Sequence, residues 1–202
     1  MTNAGSGDVA VFAVHHDGLE LVRTTPSNGG APVSVTEHAG LVYVLNTGGP
    51  SLVGFTLDAE GLHVLPGSRR ELAAAADPAQ VGFSPEGATV VVTQRGTNSL
   101  VSFPVDQSGL LGDPEETASS GMTPYGLTFA DNQTLVVTEA FRAQVGKAAA
   151  SSYRLTARGL APVSRSVGNG RSAICWAVSE AADGSCTPPT SPTVRCPATN
   201  LI

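Results

Sequence analysis

Short apolar runs separated by polar turns recur at a regular interval along this chain. One set is rich in β-branched residues and ends in a polar side chain: Leu41–Asn46, Thr89–Gln94 and Thr134–Glu139. A second set follows each of these after a polar loop and carries one aromatic residue near its centre: 51–57, 99–105 and 150–155. The runs are too short for helices, and their composition is typical of strands buried in a sheet. The pattern therefore predicts repeated antiparallel strand pairs.

The interval between the repeats indicates the architecture. Pro32, Pro78 and Pro124 recur every 46 residues, and each opens a unit with a first apolar strand, the two strands just described and a fourth short strand. A polar turn ending in Gly-Leu joins the third strand to the fourth, as at Gly61 and Gly109. Glycine supplies the positive φ that such hairpins need. A period in the forties with four short strands is typical of a β-propeller blade.

The predicted fold is all-β, an incomplete β-propeller of four-stranded antiparallel blades with about three whole blades and two partial ones. It occupies residues 1–183, and its parts are a half-blade at 3–28, whole blades at 29–75, 76–120 and 121–168, and the start of another blade at 169–183. The half-blade opens with a third strand at 9–14, with no first or second strand before it. In the last part, residues 173–178 are predicted to form a first strand.

Residues 184–202 break the repeat. This segment holds four prolines and no alternation of apolar and polar residues, which excludes a ladder strand. A shifted reading frame is one explanation, since the neighbouring frame can encode a second and a third strand in the register of the other blades. A native disordered tail is the alternative, and the nucleotide sequence of the gene distinguishes the two.

Composition and charge narrow the classes of partner. The chain has 202 residues, 41% of them hydrophobic, and a net charge of −6. Because nucleic-acid binding needs clustered Lys and Arg, we expect no nucleic-acid partner. No segment approaches the ~20 apolar residues of a membrane span, and no signal peptide is visible. We therefore expect no membrane partner and a cytoplasmic location, although a truncated N-terminus would conceal a signal peptide.

Reactive side chains form no recognised motif. The four histidines, His15, His16, His38 and His63, lie in turns or at strand ends, and their spacings match no zinc site. Three unevenly placed cysteines do not make a disulfide framework. No nucleophile elbow, phosphate loop or paired-carboxylate motif occurs. The sequence thus predicts neither a metal site nor a cofactor.

Several phrases resemble the lactonase-type seven-bladed β-propeller family, which includes bacterial propeller 6-phosphogluconolactonases and fungal 3-carboxymuconate lactonizing enzymes. The phrases lie at 2–6, 42–46, 78–87 and 151–153, and the resemblance covers residues 1 to about 183. It implies a truncated member of roughly half to three-fifths the usual length. It also implies lactone chemistry by His, Arg and Glu side chains around a central channel, although a fold does not by itself confer a reaction.

Only part of the catalytic group implied by this resemblance is present. The family's histidine, six residues before the proline of the Ser-Pro-Glu-Gly turn, corresponds to Ala79. Its Arg-His pair in the next blade corresponds to Tyr125 and Gly126. The glutamate that ends that blade's second strand is retained as Glu139, which is the candidate catalytic residue. A polar strand end is also simply the blade pattern, so both interpretations of Glu139 stay open.

Four further residues are candidates for holding a ligand. Asn46 and Gln94 end the second strands of the other two whole blades, at the position of Glu139. Arg95 and Arg142 are placed at blade tops, where they could meet an anion. The expected ligand is a small anionic sugar lactone or carboxylate.

Two functions are compatible with these residues. The first is a lactone hydrolase or lactonizing isomerase with Glu139 as base and Arg95 or Arg142 as anion holder. The second is a non-catalytic propeller module that binds a small anionic ligand or a protein partner. Alanine at position 79 favours the second, so we expect no enzymatic activity from this chain. We also expect self-association through open blade edges, since unpaired edges invite further strands.

Overall fold

The computed structural model describes residues 1–179, which fold into four antiparallel sheets in chain order. The first sheet contains β1 (Thr2–Asn3), β2 (Asp8–His15) and β3 (Gly18–Pro26). The second contains β4 (Pro32–His38), β5 (Leu41–Asn46), β6 (Ser51–Asp58), β7 (Gly61–Val64) and β8 (Arg70–Glu71). The third contains β9 (Pro78–Phe83), β10 (Thr89–Gln94), β11 (Ser99–Pro104) and β12 (Glu115–Ala118). The fourth contains β13 (Pro124–Phe129), β14 (Thr134–Glu139), β15 (Ala149–Thr156) and β16 (Gly159–Gly168).

The third and fourth sheets are four-stranded meanders, and the second is a four-stranded meander with a fifth short strand, β8. Their strands lie in chain order, β4-β5-β6-β7, β9-β10-β11-β12 and β13-β14-β15-β16, while β8 pairs with β6 beside β7. The predicted all-β fold, an incomplete propeller of antiparallel blades, is confirmed. The second strands of the three whole blades begin and end at the residues that the sequence predicted. Their β-branched residues are buried on both faces, as in a central strand of a sheet.

Three apolar clusters hold the four blades together, one at each blade-to-blade contact. The first two blades share a cluster that includes Val9 and Phe55, and the second and third share one that includes Tyr43 and Phe103. The third and fourth share one around Tyr153. The predicted central aromatics of the third strands, Phe55, Phe103 and Tyr153, all lie in these clusters, and each is at most 2% exposed. Face-to-face packing of successive sheets is the propeller arrangement.

The first strands of neighbouring blades lie side by side and are joined by side-chain hydrogen bonds. The hydroxyl of Ser34 on β4 accepts a hydrogen bond from the backbone N–H of Val81 on β9, at 3.2 Å. The amide of Gln80 on β9 binds Leu127 on β13 twice, accepting from its N–H at 2.9 Å and donating to its carbonyl at 3.2 Å. No backbone ladder joins one blade to the next within residues 1–179, so these side-chain bonds fix how the first strands of neighbouring blades are positioned along each other.

A threonine near the end of a second strand makes a further connection between blades. Thr93 Oγ1 donates to the carbonyl of Tyr125 in the next blade at 2.6 Å and accepts from the N–H of Gln80 in its own blade at 3.0 Å. Its hydroxyl therefore satisfies two backbone groups, one in its own blade and one in the next. Such groups are costly when they are buried without a partner.

Two predictions about the partial blades need correction. The strand predicted at 9–14 is present, but it is not the first strand of the chain. Thr2–Asn3 form a short strand before it and pair with Asp8 and Val9. Residues 173–178 form no strand, because no backbone ladder joins them to the described residues. They are instead held by a threonine, since Thr138 Oγ1 donates to the carbonyl of Cys175 at 3.0 Å. The carbonyl of Cys175 is thus bound by Thr138 in the way that the carbonyl of Tyr125 is bound by Thr93.

The predicted irregular tail at 184–202, with its reading-frame alternative, lies outside the described residues. So do Cys186 and Cys196. Within residues 1–179, no helix is both long and apolar enough to span a membrane.

Tyr43 gives one of the inter-blade contacts a dependence on pH. Its side chain is fully buried and its hydroxyl donates to the carbonyl of Gly109 in the next blade at 2.7 Å. Burial raises the pKa of Tyr43 to about 12, above its ordinary value of 10. The folded state thus holds the phenol proton of Tyr43 more tightly than the unfolded state does. The stabilisation from the buried, protonated phenol is therefore complete below pH 10 and is lost as the pH rises toward 12.

We expect Tyr43→Phe to lower the free energy of unfolding by about 1 kcal/mol at neutral pH, the usual net worth of one hydrogen bond. The variant should also lose less stability than the unmodified chain when urea unfolding is repeated at about pH 11. The control is Tyr125→Phe, because within residues 1–179 the hydroxyl of Tyr125 makes no hydrogen bond. Equal alkaline losses in Tyr43→Phe and the unmodified chain would contradict the role of the phenol.

Candidate functional site

The three polar strand ends predicted as site residues are interior side chains. Asn46, Gln94 and Glu139 are the last residues of β5, β10 and β14, and each is at most 2% exposed. Each contacts groups of its own blade, so the fold repeats the position rather than bringing the three together. Polar atoms buried in this way need hydrogen-bond partners, and the partners differ from blade to blade.

In the second and fourth blades, the loop that enters the blade covers the polar side chain. Gly29 lies three residues before Pro32, and a Cβ on it would stand 2.3 Å from Asn46 Cγ. Gly121 lies three residues before Pro124, and a Cβ there would stand 2.0 Å from Glu139 Oε2. At these two positions only glycine leaves room for the polar side chain beneath the backbone. The close approach therefore explains why glycine precedes the proline by three residues in both blades.

Backbone hydrogen bonds fix the height of the covering loop. The residue before each proline has a left-handed conformation, with φ of 46° at Ala31, 41° at Asp77 and 59° at Thr123. The carbonyl of each accepts a hydrogen bond from the residue that follows the buried strand end, at 3.0 to 3.1 Å. L-amino acids enter this region at a cost, which the bonds offset. The repeated turn closes the loop over the polar side chain.

Glu139 has the most developed surroundings. Its Oε1 accepts a hydrogen bond from the hydroxyl of Ser151, which in turn accepts one from the N–H of Ser166 at 2.7 Å. Its Oε2 is buried and has no hydrogen-bond partner within residues 1–179, and the same holds for the hydroxyls of Ser119 and Ser120. The carboxyl group of Glu139, the hydroxyl of Ser151 and the backbone of Gly121 thus form a polar cluster inside the fourth blade.

The equivalent amides are held more simply. Gln94 Oε1 accepts hydrogen bonds from Thr97 Oγ1 at 2.9 Å and from Ser99 Oγ at 3.3 Å, both within the turn that follows its strand. Asn46 Nδ2 lies 3.5 Å from the carbonyl of Val44, and its Oδ1 has no partner among the described residues. Gln94 thus supports the turn that follows its strand, whereas Asn46 bonds only within its own strand.

Arg95 lies at the junction between the third and fourth blades. Its Nη2 donates to Asp77 Oδ1 at 2.7 Å and its Nε to the carbonyl of Asp77 at 3.3 Å. Its guanidinium carbon lies 5.1 Å from the ring centroid of Tyr125, a cation–π distance. Tyr125 in turn meets Trp176 edge to face, with ring centroids 5.3 Å apart. The arginine predicted from the sequence therefore belongs to a surface cluster with two aromatic rings.

Arg142 is separate from this cluster. It lies in the short 3-10 turn Phe141–Ala143, where three consecutive residues have φ between 48° and 59°. Its side chain is exposed and makes no hydrogen bond or ion pair with any of residues 1–179. Its backbone N–H donates to Thr123 Oγ1 at 3.2 Å, which ties the turn to the loop above Glu139.

The remaining titratable residues do not assemble into a site. His15 and His63 pair with Glu20 and Asp58 on exposed hairpins. In the part of the chain that the structure describes, no three His, Cys, Asp or Glu side chains are placed to hold a metal ion. Ala79, at the position of the family's histidine, is buried, so that position offers no side chain that could accept a proton.

Sequence reasoning missed two features of this region. The first is the threonine that links neighbouring blades. Thr93 precedes Gln94 and Thr138 precedes Glu139, and this repeated position in the sequence could have indicated that both threonines have the same role. Trp176 contacts Tyr125 across 51 positions of the chain, and no local pattern signals that contact.

Residues 59–144 match the family described as lactonase, 7-bladed beta-propeller. This confirms within that range the family resemblance that the sequence phrases indicated. No curated protein matches the sequence of the chain.

Several solved structures share the fold. A protein of unknown function from Desulfotomaculum acetoxidans has a TM-score of 0.69 at 14% identity, with 86% of this chain and 53% of that chain covered. A candidate 6-phosphogluconolactonase from Bacteroides uniformis has a TM-score of 0.65 at 13% identity, with 81% and 52% covered. The periplasmic gluconolactonase PpgL of Pseudomonas aeruginosa has a TM-score of 0.62 at 17% identity, with 79% and 50% covered. The chain therefore spans about half the length of these structures, and at such identities the likeness concerns the fold.

Proposed function

We propose that this chain supplies about half of the blades of a lactonase-like propeller and does not itself hydrolyse lactones. The lactonase match over residues 59–144 and the coverage of about half of each similar structure support the first part. The second part rests on one observation, the enclosure of Glu139 beneath Gly121. A lactonase needs a base that water and substrate can reach and a cation that holds the anionic group.

Glu139 does not meet the first requirement. Its side chain has no solvent exposure, one carboxyl oxygen is bound by Ser151, and the other lies under the backbone of Gly121. A general base must come within about 3 Å of the proton that it removes, directly or through one water. Reaching Glu139 would require the loop at 119–123 to open. We therefore assign Glu139 a structural role within its blade.

The second requirement is met only in part. Arg95 is already paired with Asp77, and Arg142 lies on an exposed turn apart from Glu139's hydrogen-bond partners. Neither arginine donates to the glutamate or to its serine neighbours within residues 1–179. Catalysis depends on donors and base converging on one reacting atom. The described residues supply separate groups instead of a convergent set.

The expected result is that the purified chain leaves the ring opening of 6-phosphogluconolactone and of glucono-δ-lactone at their spontaneous rates. A pH-indicator assay with each lactone in excess measures this, with a buffer blank and heat-denatured chain as controls. Turnover above both controls that is lost in Glu139→Gln would contradict the proposal. It would instead favour the second candidate function, lactone hydrolysis with Glu139 as base, which its unpaired Oε2 would serve.

A further inference from the structure

We propose that Arg95, Tyr125 and Trp176 form a binding site for a small ring-shaped carboxylate, in which the ring stacks on the aromatic surface and the carboxylate binds the guanidinium. The inference rests on the proposed function in one respect, that the bound molecule is not turned over. The three side chains come from the third blade, the fourth blade and the segment after it.

The aromatic part of the site is accessible. Trp176 is 55% exposed although it contacts the ring of Tyr125 edge to face at 5.3 Å. The carbonyl of Cys175, the preceding residue, is fixed by Thr138 Oγ1 at 3.0 Å, which anchors the backbone that carries the indole. The carbonyl of Tyr125 is fixed by Thr93 in the same way, at 2.6 Å. The Trp176 ring stands at 82° to the Tyr125 ring, so its exposed indole face is the aromatic surface on which the ring of a ligand can stack.

The charged part of the site keeps free donors. Arg95 uses Nη2 and Nε for Asp77, and among residues 1–179 nothing accepts a hydrogen bond from Nη1. Stacking over Tyr125 at 5.1 Å holds the guanidinium plane beside the aromatic surface. A guanidinium group that keeps two N–H groups is suited to a carboxylate, because the hydrogen bond is charge-assisted. Asp77 is the counterion that an anionic ligand must compete with.

These groups define the ligand by its chemistry. The aromatic surface selects a ring with an apolar or C–H face, and Nη1 selects a single anionic group at its edge. A sugar acid and an aromatic carboxylate both meet this description. Neither a bare phosphate nor an uncharged sugar uses both parts of the site.

Trp176 also supplies the measurement, because it is the only tryptophan of the chain. We expect glucuronate or benzoate to change its fluorescence saturably, with a dissociation constant on the order of 1 mM, typical of one stacked ring and one ionic contact. Glucose and inorganic phosphate at the same concentrations should leave the emission unchanged. The response to the two carboxylates distinguishes a sugar ring from an aromatic ring.

Three variants test the roles of the side chains in opposite directions. Arg95→Gln should weaken binding by about tenfold, the usual loss when a charge-assisted hydrogen bond is removed. Asp77→Asn should tighten it several-fold, because it removes the competing carboxylate, and asparagine tolerates the left-handed φ of 41° at this position. Arg142→Gln is the matched control and should bind as the unmodified chain does. A gain of affinity in Asp77→Asn cannot come from misfolding.

The inference is overturned if neither carboxylate changes the fluorescence, or if Arg142→Gln weakens binding as much as Arg95→Gln. It is also overturned if Asp77→Asn leaves the affinity unchanged. Because binding is read from Trp176 and turnover from a separate lactone assay, the two proposals fail independently. Lactone turnover with no fluorescence change would contradict both. A fluorescence change together with lactone turnover would contradict the proposed function, and with it the absence of turnover, but not the binding of a carboxylate at Arg95 and Trp176.

Discussion

Replacing Gly121 with alanine is expected to lower the free energy of unfolding by about 3 kcal/mol, the upper range for overpacking a well-filled interior. The added methyl carbon would stand 2.0 Å from Glu139 Oε2 and 2.6 Å from Ser166 Oγ. Glu139 Oε2 belongs to the carboxyl group that Ser151 holds through Oε1, so it cannot move away without disturbing that hydrogen bond. Urea unfolding followed by circular dichroism measures the loss.

A double-mutant cycle shows whether the contact with Glu139 causes this loss. In a Glu139→Ala background, Gly121→Ala should cost at least 1 kcal/mol less, because the carboxyl group that it would strike is gone. Gly5→Ala is the matched control, since a Cβ on Gly5 meets nothing within 4 Å. Additive losses from Gly121→Ala and Glu139→Ala would mean that the loop does not lie over the carboxyl group.

The second large effect is expected from Thr93→Val, which should lower the free energy of unfolding by about 2 kcal/mol. Valine keeps the shape of threonine but removes the hydroxyl that binds the Tyr125 carbonyl at 2.6 Å and the Gln80 N–H at 3.0 Å. Each buried backbone group left without a partner costs on the order of 1–3 kcal/mol, and the extra apolar methyl group offsets part of this. Chemical unfolding of the two proteins side by side measures the difference.

Thr89→Val in the same strand is the control for Thr93→Val. The hydroxyl of Thr89 makes no hydrogen bond within residues 1–179, so the exchange should change stability by less than about 0.5 kcal/mol. If both substitutions cost the same, the loss at Thr93 would reflect β-strand packing in general. The conclusion that the Thr93 hydroxyl stabilises the contact between the third and fourth blades would then be wrong.

The blade architecture could be predicted because its determinants are local and repeated. The bounds of β5, β10 and β14 follow from runs such as Val90-Val91-Val92, which are buried on both faces. The turns before a fourth strand were equally predictable. Asp106 accepts from the hydroxyl of Ser108 at 2.6 Å and from the N–H groups of Leu110 and Ser108 at 2.9 and 2.8 Å. These bonds, the Ser108 hydroxyl first, hold the pKa of its carboxyl below the ordinary value.

The partial blades and the site depend on contacts that no local pattern contains. Thr2–Asn3 is too short to be distinguished from a turn, and residues 173–178 have a strand-like composition but no ladder partner among the described residues. The polarity of Glu139 was visible in the sequence, whereas its enclosure depends on Gly121, 18 positions earlier. Whether a polar strand end is reachable or covered is decided by the loop that folds over it, and the repeat does not encode that.

Single-turnover hydrolysis tests the central claim, that the carboxyl group of Glu139 is structural and this chain does not hydrolyse lactones. With the protein in excess over 6-phosphogluconolactone, slow product release cannot hide the chemical step, and repeating the assay at increasing protein concentration accounts for weak binding. The account predicts that the lactone opens at the same rate with the chain, with its Glu139→Gln variant and in buffer alone. Faster ring opening with the unmodified chain that returns to the buffer rate in Glu139→Gln would contradict it.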